Sequence, residues 1–137
     1  MNKIKYDSNS IKLIIFFESM TGARVKDCII NEKIMFIVEE NEMAKAIGRN
    51  GANIKKVEMA LKKKVRLVEF SNDVYKFVKN IVYPIEIKGV SQEDGAIVIQ
   101  GKDNSTKALL LGREKKNIKH LSNIVKRYFN IKEIKVV

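Results

Sequence analysis

Residues 45–55 read Lys-Ala-Ile-Gly-Arg-Asn-Gly-Ala-Asn-Ile-Lys, and the fold is decided by the break at their centre. Asn41 is positioned to cap a short helix over residues 42–47, which Gly48-Arg49-Asn50-Gly51 interrupts. A second helix resumes beyond it, with Ile54, Val57 and Leu61 on one face. Glycines at both ends of such a break let the backbone approach an anion without a Cβ in the way. Gly51 opens a helix whose first N–H groups and dipole attract negative charge. Between Lys45 and Arg66 there are eight basic residues against one acid, Glu58, and Arg49 in the loop can fork onto a phosphate. The spacing therefore predicts a phosphate cradle between two helices.

Working outward, residues 24–30 and 34–38 are strand-like runs joined by Asn31-Glu32-Lys33, and residues 65–70 form a third. Ahead of them Ile11, Ile14 and Ile15 recur at helical spacing after the candidate caps Asp7 and Ser8, with Thr21-Gly22 as the stop. The order is helix, strand, strand, helix, helix, strand. It then recurs. Ser71, Asn72 or Asp73 caps a helix with an apolar stripe of Val74, Phe77, Val78, Ile81 and Val82, which Pro84 ends. Strands are expected over 85–90 and 96–101 around a turn at Gln92-Glu93-Asp94-Gly95. Asp103 caps a helix stopping at Gly112; another carries Ile118, Leu121, Val125 and Tyr128, and residues 131–137 close as a strand. Shifted by 64 positions, Gly48-Arg49 falls on Gly112-Arg113 and Asn53-Ile54-Lys55 on Asn117-Ile118-Lys119, which points to a duplication. Ile47 meets Leu111, and Leu61 meets Val125.

Composition bounds the function. The 137 residues carry a net charge of +11, split as +6 over 1–82 and +5 over 83–137, so both halves suit a polyanionic partner. One cysteine and one histidine exclude an internal disulfide and a protein-only zinc site, and no cofactor or metal is expected. The longest apolar run, residues 13–17, is far short of the roughly 18 residues that span a bilayer, and no secretory pattern opens the chain. A cytoplasmic protein without a membrane partner is expected. Nothing resembles a P-loop, a metal cluster or a paired-carboxylate site, so the chain does not read as an enzyme. Cys28 reads as a small core residue, His120 as a surface group, and Lys62-Lys63-Lys64 equally well as a solvated helix end or a phosphate contact. Of Phe16 and Phe17, adjacent on a helix, only one can face the core.

Gly48-Arg49-Asn50-Gly51, with Ile47 before it and Ile54 after it, resembles the signature loop of KH domains, and the α-β-β-α-α-β order resembles their type II topology. Two such units in tandem resemble the paired KH region of the NusA transcription factors. The resemblance implies an α+β fold of two type II KH units packed as one rigid body, a first over 1–70 and a second, with a degenerate loop, over 71–137. It also implies single-stranded RNA binding in transcription elongation, pausing or termination, by a monomer with RNA polymerase as a further partner. KH domains clamp about four nucleotides, with the loop on the backbone and an apolar groove under the bases. Carried over, Gly48, Arg49, Asn50 and Gly51 hold phosphates, with Lys55 and Lys56 adding charge, and Ile47 and Ile54 belong to the groove floor or the core beneath it. The strand 34–38 lies along the groove's far side.

In the second unit the loop reads Gly112-Arg113-Glu114-Lys115. Lys115 replaces the second glycine, where a Cβ hinders close backbone approach, and Glu114 repels phosphate; Lys115, Lys116 and Lys119 compensate in part through their side chains. The alternative reading is a KH protein of ribosome assembly or translation, which co-purification with ribosomal subunits rather than RNA polymerase would favour. An RNA-processing enzyme would degrade RNA in the presence of magnesium, and a helix–turn–helix protein would prefer duplex DNA.

Overall fold

Asp7 stands just before the first helix, and its Oδ1 accepts from the Ser10 N–H at 2.7 Å, so the chain enters α1 (Ser8–Thr21) through a side-chain cap. Gly22, at φ +76°, ends the helix by donating its N–H to Glu18 O. The computed structural model describes residues 7–137.

β1 (Val25–Ile30) pairs antiparallel with β2 (Ile34–Val38), with a bulge between Val25 and Asp27. β2 pairs parallel with β3 (Val65–Glu69), Phe36 opposite Leu67. A parallel pair needs a long crossover, and the chain supplies it as α2 (Met43–Ile47), a 3-10 turn over Arg49–Gly51, and α3 (Ala52–Leu61). The broken helix pair thus follows from the sheet order β1-β2-β3. The apolar run of the central strand, Ile-Met-Phe-Ile-Val, is buried over its whole length. Ile34, Phe36 and Val38 join Phe17, Ala23, Cys28, Ala46 and Val57 in one core, with the Phe17 and Phe36 rings 4.2 Å apart. Phe17 is the fully buried member of its pair and Phe16 packs at the core's edge. Burial, with Asp27 and Asp7 adding, pushes the Cys28 thiol up to about 12, so it stays protonated at neutral pH.

From Asn72 the order repeats in a second compact unit. α4 (Val74–Val82) is capped by Asp73, which accepts from the Tyr75 N–H, and buries Phe77, Val78, Ile81 and Val82. Phe77 meets Tyr128 edge-on at 5.6 Å and Phe129 at 5.9 Å. β4 (Ile87–Glu93) pairs antiparallel with β5 (Ala96–Gly101), and β5 pairs parallel with β6 (Ile134–Val136). α5 (Asn104–Leu111), a 3-10 turn over Arg113–Lys115 and α6 (Lys116–Lys126) again form the crossover. The molecule is α+β, with two three-stranded sheets of the same order.

Five boundaries differ from expectation. Asn41 does not cap α2: it is left-handed (φ +67°), and Glu42 at the N-cap sends its side chain back to the sheet instead. The hairpin turn is Asp94-Gly95 alone, both at positive φ, because such a two-residue turn matches the twist of its strands and lets β4 run on through Gln92 and Glu93. β4 also starts later, at Ile87. Tyr128 lies beyond α6, and the last strand shrinks to Ile134–Val136, with the Lys132 N–H donating to Gly95 O ahead of it.

Candidate nucleic-acid interface

The loop between α2 and α3 begins at Gly48, whose φ +76° and ψ 172° lie in a region essentially reserved for glycine. Asn50 (φ 55°, ψ 27°) and Gly51 (φ 78°, ψ 15°) are both left-handed, and Ala52 (−60°, −40°) returns to the helix. Two amides are spent inside the turn. The Gly51 N–H donates to Gly48 O at 3.1 Å and the Ala52 N–H to Arg49 O. The amides of Arg49 and Asn50 come before the first of these bonds, at the solvent-exposed head of the turn. The groups able to meet an anion are therefore those of Arg49 and Asn50, with the Arg49 guanidinium beside them, ahead of the helix that Gly51 opens, whose first N–H groups the sequence points to.

The loop between α5 and α6 has the same backbone. Gly112 is at (74°, 173°), Glu114 at (55°, 30°), Lys115 at (60°, 24°) and Lys116 at (−62°, −41°). Its bonds match as well: the Lys115 N–H donates to Gly112 O and the Lys116 N–H to Arg113 O. Lys115, with its Cβ, thus takes the path of a glycine unchanged. At Gly51 an added Cβ would meet nothing nearer than Lys55 Cε at 3.7 Å, so the space is open there and only the torsion is costly. The first glycine is different. A Cβ on Gly48 would lie 2.7 Å from Asn53 Cγ, and one on Gly112 2.5 Å from Asn117 Cγ. Each asparagine also donates across its loop, Asn53 Nδ2 to Lys45 O at 2.7 Å and Asn117 Nδ2 to Leu109 O at 2.9 Å. Sequence reasoning used these asparagines only as marks of the repeat.

Around the first loop, Lys55 and Lys56 are exposed on the opening turns of α3. Ile47 is 40% exposed at the loop's edge, whereas Ile54 packs against the core, which separates the two isoleucines. Around the second loop Arg113, Lys115, Lys116 and Lys119 are all exposed on one turn and the helix that follows it.

Three acids of the first unit are engaged by backbone amides. Glu18 Oε2 accepts from the Val25 N–H at 2.9 Å, Glu42 Oε1 from the Arg24 N–H at 2.8 Å, and Glu58 Oε2 from the Val65 N–H at 3.0 Å. Glu58, the one acid of the basic stretch, thereby ties α3 to β3, with Lys64 Nζ at 4.0 Å. The Glu42 carboxyl is held below its ordinary value by the Arg24 N–H first and by the charges of Lys45 and Arg24, against the opposing effect of burial. What stays exposed at the loop is cationic.

Among the described residues no helix is long and apolar enough to cross a membrane. Residues 12–84 match the family model of the KH domain. Over the full chain the sequence is 34% identical to the "Probable transcription termination protein NusA" of Methanocaldococcus jannaschii, covering 77% of that protein. It is 36% identical to the protein of the same name from Methanococcus vannielii, covering 98% of this chain and 80% of that one. The crystal structure of APE1850 superposes with a TM-score of 0.74 at 29% identity, over 96% of this chain and all of that one. The chain belongs to the KH domain family, among the NusA-like KH proteins.

Proposed function

We propose that this KH protein is a non-catalytic RNA-binding factor of transcription, acting in elongation, pausing or termination. Its two KH units, 1–70 and 71–137, both present a loop to single-stranded RNA. In the first, Gly48, Arg49, Asn50 and Gly51 take the sugar–phosphate backbone, with Lys55 and Lys56 beside them and Ile47 under a base. In the second, Gly112, Arg113, Lys115, Lys116 and Lys119 extend the contact. The observation that carries the reading is the exposed head of the 3-10 turn at Arg49 and Asn50, set in a stretch whose one acid is occupied by the Val65 amide. The name these relatives carry supports the placement in transcription termination. RNA polymerase as a second partner and a monomeric state are parts of the proposal itself.

Backbone contacts of this kind make affinity fall as salt rises, because each neutralised phosphate releases counterions. Charge-assisted bonds to phosphate contribute about 1.5–3 kcal/mol each, so Arg49→Asp with Asn50→Asp should weaken binding of a fluorescein-labelled single-stranded RNA about tenfold or more. Both substitutions are on exposed side chains, so the fold should survive. Fluorescence anisotropy against salt reads the effect, and a double variant that binds as tightly as wild type would remove this loop from the interface.

A further inference from the structure

We infer that Asn53 and Asn117 are positioning residues, each holding its loop in the RNA-presenting shape by tying the last turn of the preceding helix to the first turn of the next. The inference rests on the RNA-binding reading for its ligand, but on geometry for its mechanism.

The two loops differ at two of four residues, Asn50 against Glu114 and Gly51 against Lys115, yet their torsions agree within 18° at every position compared above. Neither Glu nor Lys favours the left-handed region, and two such residues in succession are disfavoured by about 1–2 kcal/mol each. The middle of the loop therefore does not set its own shape in the second unit. What the two units share is the glycine at the start and the asparagine five residues on. These are a matched pair. The asparagine fills the space that a Cβ on the glycine would need. Its amide reaches eight residues back to a carbonyl three residues before the glycine, Lys45 O or Leu109 O. That carbonyl belongs to the last turn of α2 or α5, where the chain has no helical donor left to offer it. One side chain thus completes the end of one helix while fixing the start of the next, and the turn between them has both ends held.

The two braces are not equally needed. Gly51 adopts its left-handed torsion without strain, whereas Glu114 and Lys115 need an external restraint, so the second loop depends more on Asn117 than the first does on Asn53.

Amide hydrogen exchange on the full chain tests this, since the Gly51, Ala52, Lys115 and Lys116 amides are bonded only while the turns keep their shape. Asn117→Ala should speed exchange at Lys115 and Lys116 about tenfold, and Asn53→Ala should speed Gly51 and Ala52 several-fold. Each effect should stay within its own loop, with the amides of Phe36 in β2 and Ile97 in β5 unchanged. Asn53→Asp keeps the volume against Gly48 but loses the donor, and should exchange like Asn53→Ala. Adding Lys115→Gly to Asn117→Ala should restore part of the protection. Asn53→Ala should also weaken the labelled single-stranded RNA about fivefold at an unchanged salt slope, because no cation is lost.

Unchanged loop exchange in both alanine variants, or acceleration only in step with Phe36 and Ile97, would overturn the inference. So would accelerated loop exchange with wild-type RNA affinity, which would reduce the asparagine to a tie between helices. If the wild-type chain itself fails to bind the RNA, the function proposed above falls, while the exchange data still judge the brace.

Discussion

The loops at 48–51 and 112–115 trace one backbone with two chemistries. The first has glycine wherever the torsion is most demanding and no acid; the second puts Glu114 and Lys115 through the same left-handed pair. In this fold the shape of the loop and its charge are separately specified. Shape is written at the flanks, in a glycine whose torsions no other residue adopts and an asparagine packed on it. Charge is written in the middle, where side chains face solvent and can change without altering the path.

The comparison breaks most sharply at the first glycines. Gly48→Ala forces a Cβ into a glycine-only region and within 2.7 Å of Asn53 Cγ and 2.8 Å of the Asn53 backbone nitrogen, which cannot swing away. Torsional strain and overpacking together should lower the stability of the loop and its helices by about 3 kcal/mol or more. Gly112→Ala meets Asn117 at 2.5 Å and should cost as much. Urea denaturation followed by residue-resolved exchange checks both. A loss below about 1 kcal/mol at either position would mean that the flanks do not hold the loops.

How much of this the sequence discloses depends on the range of the interaction. The element order was legible because hydrophobic period and turn residues are local, and the two parallel strand pairs explain why each helix pair must exist. The loop was legible from Gly48-Arg49-Asn50-Gly51 and its echo at Gly112-Arg113. Which amides the loop offers was not, since that is decided by bonds from the Gly51 and Ala52 N–H groups back into the turn. The role of Glu42 was equally hidden. Its partner Arg24 lies 18 residues earlier, just ahead of β1, and Asn41 is the better cap by composition alone. The bond that displaces it is tertiary. The true length of the Asp94-Gly95 turn is hidden for a subtler reason: Gln92 and Glu93 look like turn residues, but in an exposed stretch of β4 polar side chains are tolerated as readily as in a loop.

A smaller effect comes from exchanging the second loop positions. Gly51→Lys imports the torsional burden of the second loop into the first, with open space for the side chain, and should cost about 1 kcal/mol. Lys115→Gly relieves that burden and should stabilise its unit by up to about 1 kcal/mol. The two signs are opposite, which makes the pair stringent: thermal unfolding in which both variants are destabilised would show that Lys115 makes a contact worth more than its torsion. For RNA the order can reverse, because Gly51→Lys adds a cation beside Arg49 while Lys115→Gly removes one, and the salt slope of binding separates this charge effect from the change in loop shape.

The smallest effect concerns how the helix ahead of each loop is anchored. α2 has five residues and no side-chain cap, and is held through Glu42, whose side chain is only 7% exposed and accepts from the Arg24 N–H. α5 has eight residues and is capped by Asp103, whose Oδ1 accepts from the Thr106 N–H at 2.8 Å. Both carboxyls are held below their ordinary values of 4.5 and 3.8, Glu42 chiefly by the Arg24 amide and Asp103 chiefly by the Thr106 amide. A depressed folded-state value means that the charged form is favoured by folding, so each contribution is complete above the ordinary value and is lost as pH falls through the depressed one. Glu42→Gln should therefore flatten the acid limb of stability in the first unit and leave that of the second unchanged. Asp103→Asn should do the converse, with little change at neutral pH because asparagine caps as well as aspartate. Residue-resolved exchange between pH 5 and pH 3, in steps of about half a unit, reads the two units apart. An acid limb that stays steep in the first unit of Glu42→Gln would mean that α2 is anchored by its packing against the core rather than by its carboxylate.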